Sequence, residues 1–512
     1  MAVIAAFVLN AGLNFVLGIA IARMLGPADF GRFALATAGA VVLNTILFEW
    51  LRLSATRFYS ARVREAEPWI RQGLDRAYAV LALALFAAAA LCAGLGIAVD
   101  PTPQGHLVMT AGTMVAAIGI GLFDYHAALA RARFIGGAYL RLVVWKNALA
   151  FVLMAGTAYL FPQPVWVLIA AGVSQFLAVL PLRKVLGDAP ARPHGRGRET
   201  LRLFAAYGLP LIAANAVYQI MPFLNRAAIA GTAGFAEAGY FALAADLGSR
   251  AFSTLGAALD LLLFQIAVQA EEHHGRDAAE AQVSRNIAVV VALLLPCAAG
   301  YWAVTPALQA LIVPEAFRGP FAGYTNLLIP GLFFLSIMNF ALNPIFQIRR
   351  RTSPVVAAAL LGLAVNGLGL ALLPRLMGPE GVAVAQTLGL LAAVALLAVR
   401  ALTGSQRLRL PLRDLSLTAG ACLAMLLAVL PLRGLEPILA LPACIAAGVV
   451  VYGALVWLLD IAGLRSALRE RFFQRGSRRR PARALSDGAD TGSLKDARET
   501  KELETPSCGD RV

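Results

Sequence analysis

Charge is scarce in this chain. Of its 512 residues only 14% are Asp, Glu, Lys or Arg, whereas a soluble globular domain carries about a quarter. With 59% hydrophobic residues, there are too few charges to present so much apolar surface to water. A soluble enzyme and a nucleic-acid binder are excluded as descriptions of the whole chain. Cysteine is sparse too. The five thiols, Cys92, Cys297, Cys422, Cys444 and Cys508, show no CxxC or paired spacing, which excludes a disulfide scaffold and gives no sign of a metal or redox centre. Four of them lie in apolar blocks, where a thiol acts as a small hydrophobe. Long connections are also missing. The longest expected outer loop is 310–322, too short to house an extramembrane catalytic domain. No G-x-x-x-x-G-K-[ST] phosphate loop occurs, so the chain is not expected to hydrolyse ATP or to need any other cofactor.

What the chain does have is apolar blocks of about 20 residues, the length that crosses a bilayer as a helix. Fourteen such segments lie near 2–22, 34–55, 77–99, 107–127, 141–161, 165–182, 204–230, 237–268, 286–309, 323–347, 355–374, 381–400, 414–432 and 438–460. Most are apolar on every face, as a helix in lipid or deep in a bundle must be. The first has neither a basic flank before it nor an A-x-A-like site after it, so it reads as a span rather than a signal peptide. The fold class is an all-α polytopic membrane protein.

The net charge of +15 reads as topology. With the N-terminus inside, the six inner loops hold 24 basic residues and the seven outer loops hold 5. That asymmetry is the positive-inside pattern. Arg23 and Arg32 after the first segment argue the other way, but the later loops outweigh them. Both termini are expected in the cytoplasm. A further 12 basic residues lie in the tail from position 461, whose first part suits anionic lipid and whose remainder has the composition of a disordered segment. Three cations are left within spans: Arg52, Arg226 and Arg250.

Residues 28–36 and 236–244 repeat one another, with six of nine positions identical at an offset of 208. Each copy follows the first helix of a block of six. The expected organisation is an N-lobe (1–182), a cytoplasmic linker (183–203), a C-lobe (204–402), two further helices (403–460) and a basic, then polar tail (461–512). Parallel repeats of this kind are common in transporters.

Residues Arg23-Met24-Leu25-Gly26-Pro27-Ala28-Asp29-Phe30-Gly31-Arg32-Phe33-Ala34 resemble the LGP-x-x-[FY]-G-x-[FY] signature of the polysaccharide flippases, in the multidrug/oligosaccharidyl-lipid/polysaccharide exporter superfamily. Gly378-Pro379-Glu380-Gly381-Val382-Ala383 resembles the turn before that family's twelfth helix. The resemblance implies movement of an undecaprenyl-diphosphate-linked glycan, such as an O-antigen unit, across a bacterial inner membrane by alternating access. It also implies a cationic central cavity. The implied partners are the lipid-linked glycan, membrane lipids and polysaccharide assembly machinery, with no nucleic acid.

An ionisable group inside a span is costly and is a functional candidate by default. Arg250 lies deepest, with Asp246 one turn earlier on the same face. They are either a self-neutralising i,i+4 pair or a substrate cation with its resting partner. Asp260 follows on the same span, and the 208 offset sets Arg52 equivalent to it, which would suit a gate. Glu49 and Arg52 are spaced i,i+3 near an inner end, where snorkelling explains them equally well. Asn215, Gln219, Pro222 and Arg226 share one helical face. Asn339 and Asn343 continue a second polar stripe from Ser336 to Gln347, and Asn10 and Asn14 mark a third. Such amides suit sugar hydroxyls or interhelical hydrogen bonds. Asp124, beside His126, is a candidate for ion coupling or an interfacial carboxylate. The expected substrate set is Arg250, Arg52, Arg226, Asn215, Gln219, Asn339 and Asn343, with Asp246, Asp260, Glu49 and Asp124 for coupling or gating.

A flippase for a lipid-linked glycan is the leading expectation. A cation-coupled multidrug exporter is the nearest rival, and a membrane glycosyltransferase or polymerase a weaker one.

Overall fold

The computed structural model describes residues 2–59, 67, 69–100, 102, 105–188, 197–348, 353–403 and 410–466. Among them every regular element is helical. The first helix, α1 (Ala2–Leu47), leads into α2 (Glu49–Phe58), and α3 (Trp69–Val99), α4 (His106–Ala132), α5 (Gly136–Leu160) and α6 (Pro164–Val179) follow. Next come α7 (Gly197–Thr232), α8 (Phe235–Leu311), α9 (Pro320–Ile337) and, after a π turn at Met338–Leu342, α10 (Asn343–Ile348). The chain ends in α11 (Ser353–Met377), α12 (Glu380–Thr403), α13 (Leu412–Val429) and α14 (Pro437–Leu459). Eleven helices among the described residues are long and apolar enough to cross a membrane. The chain is a multi-pass membrane protein.

Two of these helices join segments that the sequence pattern separates. α1 runs from the first expected segment into the second, and α8 from the eighth into the ninth. The connection inside α8, 269–285, is rich in Ala, Glu, Gln and Arg, all good helix formers, so helix runs through it on either side of one break at Gly275. Each long helix is broken at one glycine of non-helical φ/ψ. The break in α1 falls at Gly26, whose φ of 73° is left-handed and suits glycine alone, just before Pro27. The break in α8 falls at Gly275, with φ 81°.

Residues up to Ala462 form one compact unit; of the second, from Gly463 onward, only Gly463–Ser466 are described. In the first unit α1 packs against α4, α5, α6, α7 and α8, which makes it the central element. α11 packs on α12, α9 on α8 and α12, and α13 and α14 lie together against α8. α1 and α8 touch at Gly31 and Gly239. A Cβ on Gly31 would fall 1.8 Å from the Phe235 carbonyl oxygen, and one on Gly239 would fall 2.1 Å from that of Pro27. Beside this crossing Phe317 stacks edge-on against Phe30 and Tyr240, each at 5.7 Å between ring centres.

Buried polar groups tie the remaining helices. Asn225 on α7 donates to Gln386 on α12 at 2.7 Å and accepts from Asn366 on α11 at 2.9 Å. Arg71 on α3 reaches both oxygens of Asp75 at 2.9 Å and the Leu186 carbonyl at 2.9 Å, and Tyr125 on α4 donates to Asp75 at 2.6 Å. The Tyr59 hydroxyl donates to Asp188. Burial and that carboxylate together push the Tyr59 hydroxyl above its ordinary pKa.

Candidate functional site

A cavity of about 220 Å³ opens among α1, α4, α5, α6, α7 and α8. Most of its wall is apolar, including Leu17, Ile21, Phe30, Phe33, Ala116, Ile120, Met154, Leu168 and Leu247. Three cations, Lys146, Arg226 and Arg250, line it together with one acid, Asp246. Asn14, Thr37, Ser174 and Gln175 add neutral polar groups. Moving an ion from water into a low-dielectric interior is expensive unless it is paired, and this lining holds three cations to one acid.

Each cation is held differently. Arg226 on α7 is buried, at 8% exposure. It donates to the Ala34 carbonyl of α1 at 2.8 Å and pairs with Asp246 of α8 at 2.5 Å. Arg250 of α8 donates to the Asn14 carbonyl of α1. Its guanidinium fits because the residue across from it is glycine: a Cβ on Gly18 would lie 3.3 Å from Nη1. Lys146 of α5 stands over the Phe123 ring, 4.7 Å from its centre, and feels the charge of Asp124.

Asp246 and Arg250 do not form the i,i+4 pair that their spacing suggests. Arg226 is the deeper cation and has the stronger need for a counterion. Asp246 faces it from the adjacent helix and answers that need, while Arg250 turns to the α1 backbone.

The other expected site residues lie elsewhere. Glu49 of α2, at 6% exposure, pairs with Arg52 and accepts from Asn215 of α7 at 2.7 Å. These three form a separate polar knot between α2 and α7. Gln219 is half-buried on α7 and is not part of the cavity lining. Asn339 is exposed in the π turn and accepts a long 3.4 Å bond from Asn343. Asp124 is half-buried beside Lys146, just outside the cavity wall. The side chains of Asp260 and Asn10 lie outside the described residues. Among the described residues no group of His, Cys, Asp and Glu is placed to hold a metal.

Thr37, Lys146, Ser174 and Gln175 are the polar cavity residues that a reading of the sequence passes over. Lys146 falls five residues past the expected start of its span and is counted with the cations of the inner loop. The helix in fact begins at Gly136, which carries Lys146 almost three turns inward.

No protein-family model and no curated protein matches the sequence. Solved structures do resemble it in fold. A lipid II flippase, MurJ, in an inward closed conformation aligns with a TM-score of 0.74 at 13% identity, covering 90% of this chain and 99% of that one. An inward-facing multidrug resistance MATE family transporter of the MOP superfamily aligns at 0.50 and 16%, covering 77% and 92%. Its outward-facing counterpart aligns at 0.51 and 15%, covering 78% and 92%. The chain therefore shares the helical fold of these solved structures. The solved structures that share it are a flippase and transporters.

Proposed function

We propose that this chain is a transporter that moves an undecaprenyl-diphosphate-linked oligosaccharide or polysaccharide unit from the inner to the outer leaflet of a bacterial inner membrane by alternating access. The product would feed cell-surface polysaccharide biosynthesis, whether O-antigen, lipopolysaccharide or exopolysaccharide. The observation that carries this reading is the cavity with Lys146, Arg226 and Arg250 against a single acid, Asp246. A diphosphate diester brings negative charge that needs such a site, while its lipid tail needs none and stays in the bilayer. The fold likeness to a lipid II flippase over nearly its whole length supports the same reading.

We assign Arg250 and Arg226 to the diphosphate, Arg226 through its Nε, which has no hydrogen-bond partner among the described residues. The knot of Glu49, Arg52 and Asn215 is proposed to act in gating between α2 and α7, and Asn339 and Asn343 to meet sugar. The proposed organisation keeps two six-helix lobes at 1–182 and 204–402, two added helices at 403–460 and the tail from 461. The crossing of α1 and α8 at Gly31 and Gly239 supports it, because equivalent positions of the two lobes meet there.

The second reading is a multidrug exporter, favoured by the fold likeness to the MATE transporters. The charge of the cavity weighs against a cationic drug, which three basic residues repel. Deleting the gene in its host and locating lipid-linked glycans by leaflet separates the two. Accumulation on the inner face, not rescued by Arg250→Ala at normal membrane abundance, supports the flippase. Unchanged glycans with raised sensitivity to cationic drugs support the exporter.

A further inference from the structure

The three cavity cations differ in what already occupies them. Arg226 is committed to Asp246 and to the Ala34 carbonyl. Arg250 holds the Asn14 carbonyl. Lys146 has no hydrogen bond or ion pair among the described residues; it rests on the face of Phe123 and feels the Asp124 charge only at a distance. An ammonium carries three donors, and the half-buried Lys146 gives none of them to a protein acceptor among the described residues. Lys146 therefore has the most to gain from an arriving anion.

We propose that Lys146 is the residue that first receives the anionic head of the transported lipid, and that Arg250 joins it by exchanging the Asn14 carbonyl for the same anion. The inference rests on the lipid-linked anion reading and assigns an order of events within that site. The exchange is favoured because both partners of a guanidinium–phosphate bond are ionised, whereas the main-chain carbonyl is a neutral acceptor. Asn14 connects the two cations. Its side chain donates to Asn147, the neighbour of Lys146 on α5, at 3.3 Å, while its carbonyl holds Arg250.

The consequence falls on α1. Arg250 grips this helix at Asn14, before the break at Gly26, and Arg226 grips it at Ala34, beyond the break. Anion entry releases the first grip and leaves the second. One arm of α1 is freed while the other stays fixed, so the anion shifts the conformational balance by binding the two states unequally.

The test uses the full chain in lipid nanodiscs, with farnesyl diphosphate as probe and farnesol as the neutral control. Lys146→Met should bind farnesyl diphosphate about tenfold or more weakly, the loss of a charge-assisted contact, and Lys146→Arg should stay within about threefold of wild type. Amide hydrogen exchange over residues 15–21 should rise severalfold when the probe is bound to wild type, and not in Arg250→Met. Equal affinity of wild type and Lys146→Met overturns the assignment of Lys146. Unchanged exchange in probe-saturated wild type overturns the release of α1, and needs no variant to fold. A wild-type chain that binds farnesyl diphosphate no better than farnesol overturns the lipid-anion reading itself, and this inference with it.

Discussion

Gly31 and Gly239, separated by 208 residues, face each other so closely that neither position has room for a methyl group. Gly31 meets the carbonyl of Phe235, and Gly239 meets the carbonyl of Pro27. Pro27 and Phe235 are themselves 208 apart, so the contact is its own mirror under the internal repeat, as an isologous interface is. Gly26 and Gly234, again 208 apart, both take left-handed φ values, 73° and 92°, where each arm begins.

The first prediction follows from that crossing. Gly31→Ala must push α1 from α8 and should cost about 1–3 kcal/mol as an overpacked contact. Gly12→Ala on the same helix has nothing within 4 Å of the added methyl and should leave stability unchanged. Thermal melting of the two purified variants beside wild type checks the contrast.

The ion pair of Arg226 and Asp246 makes a second. Asp246→Leu leaves the Arg226 charge uncompensated, and Arg226→Met leaves Asp246 without its partner. The double variant should recover part of both losses, with a coupling energy of about 0.5–3 kcal/mol. Asp246→Leu with Arg250→Met should be additive, because Arg250 is bound to Asn14 and not to Asp246. A double-mutant cycle in detergent measures both pairs.

Asn225 is the hub of three helices. Asn225→Leu leaves Gln386 and Asn366 without their partner in a buried setting, at about 1–3 kcal/mol for each unsatisfied group. Melting should therefore fall well below that of Asn343→Leu, whose side chain donates a long 3.4 Å bond to another amide.

Glu49 has two partners where Arg52 has one. Glu49→Ala should impair stability more than Arg52→Ala, since it strands Asn215 as well as the guanidinium. Comparing membrane abundance and melting of the two variants tests the proposed knot between α2 and α7.

How legible this molecule is from its sequence depends on the range of each interaction. The bundle shows in the apolar runs, because helix length against bilayer thickness is a local property. Arg226 and Arg250 stand out because a charge in an apolar run has few bland explanations, and both line the cavity. Lys146 escapes notice because the apolar run begins later than the helix does. The partner of Asp246 is also hidden: spacing points to Arg250 on its own helix, whereas burial of Arg226 on α7 decides the pairing. Glu49 with Asn215, and Asn225 with Gln386 and Asn366, are likewise tertiary contacts between distant segments, which no periodicity reveals. Asn339 shows another side of this: the regular polar stripe from Ser336 to Gln347 is legible in the sequence, but the π turn that sets where Asn339 faces is not.

The most direct test of a charge-selected lipid carrier is translocation in proteoliposomes containing only this chain. The substrate would be a glycosylated polyprenyl diphosphate, and leaflet occupancy would be read by protection from an impermeant reagent. A cationic dye would serve as the competing cargo. The account predicts movement of the lipid-linked glycan, reduced at least about tenfold by Arg250→Met as expected for loss of a charge-assisted contact, with no dye transport. Dye transport with an unmoved glycan would contradict it.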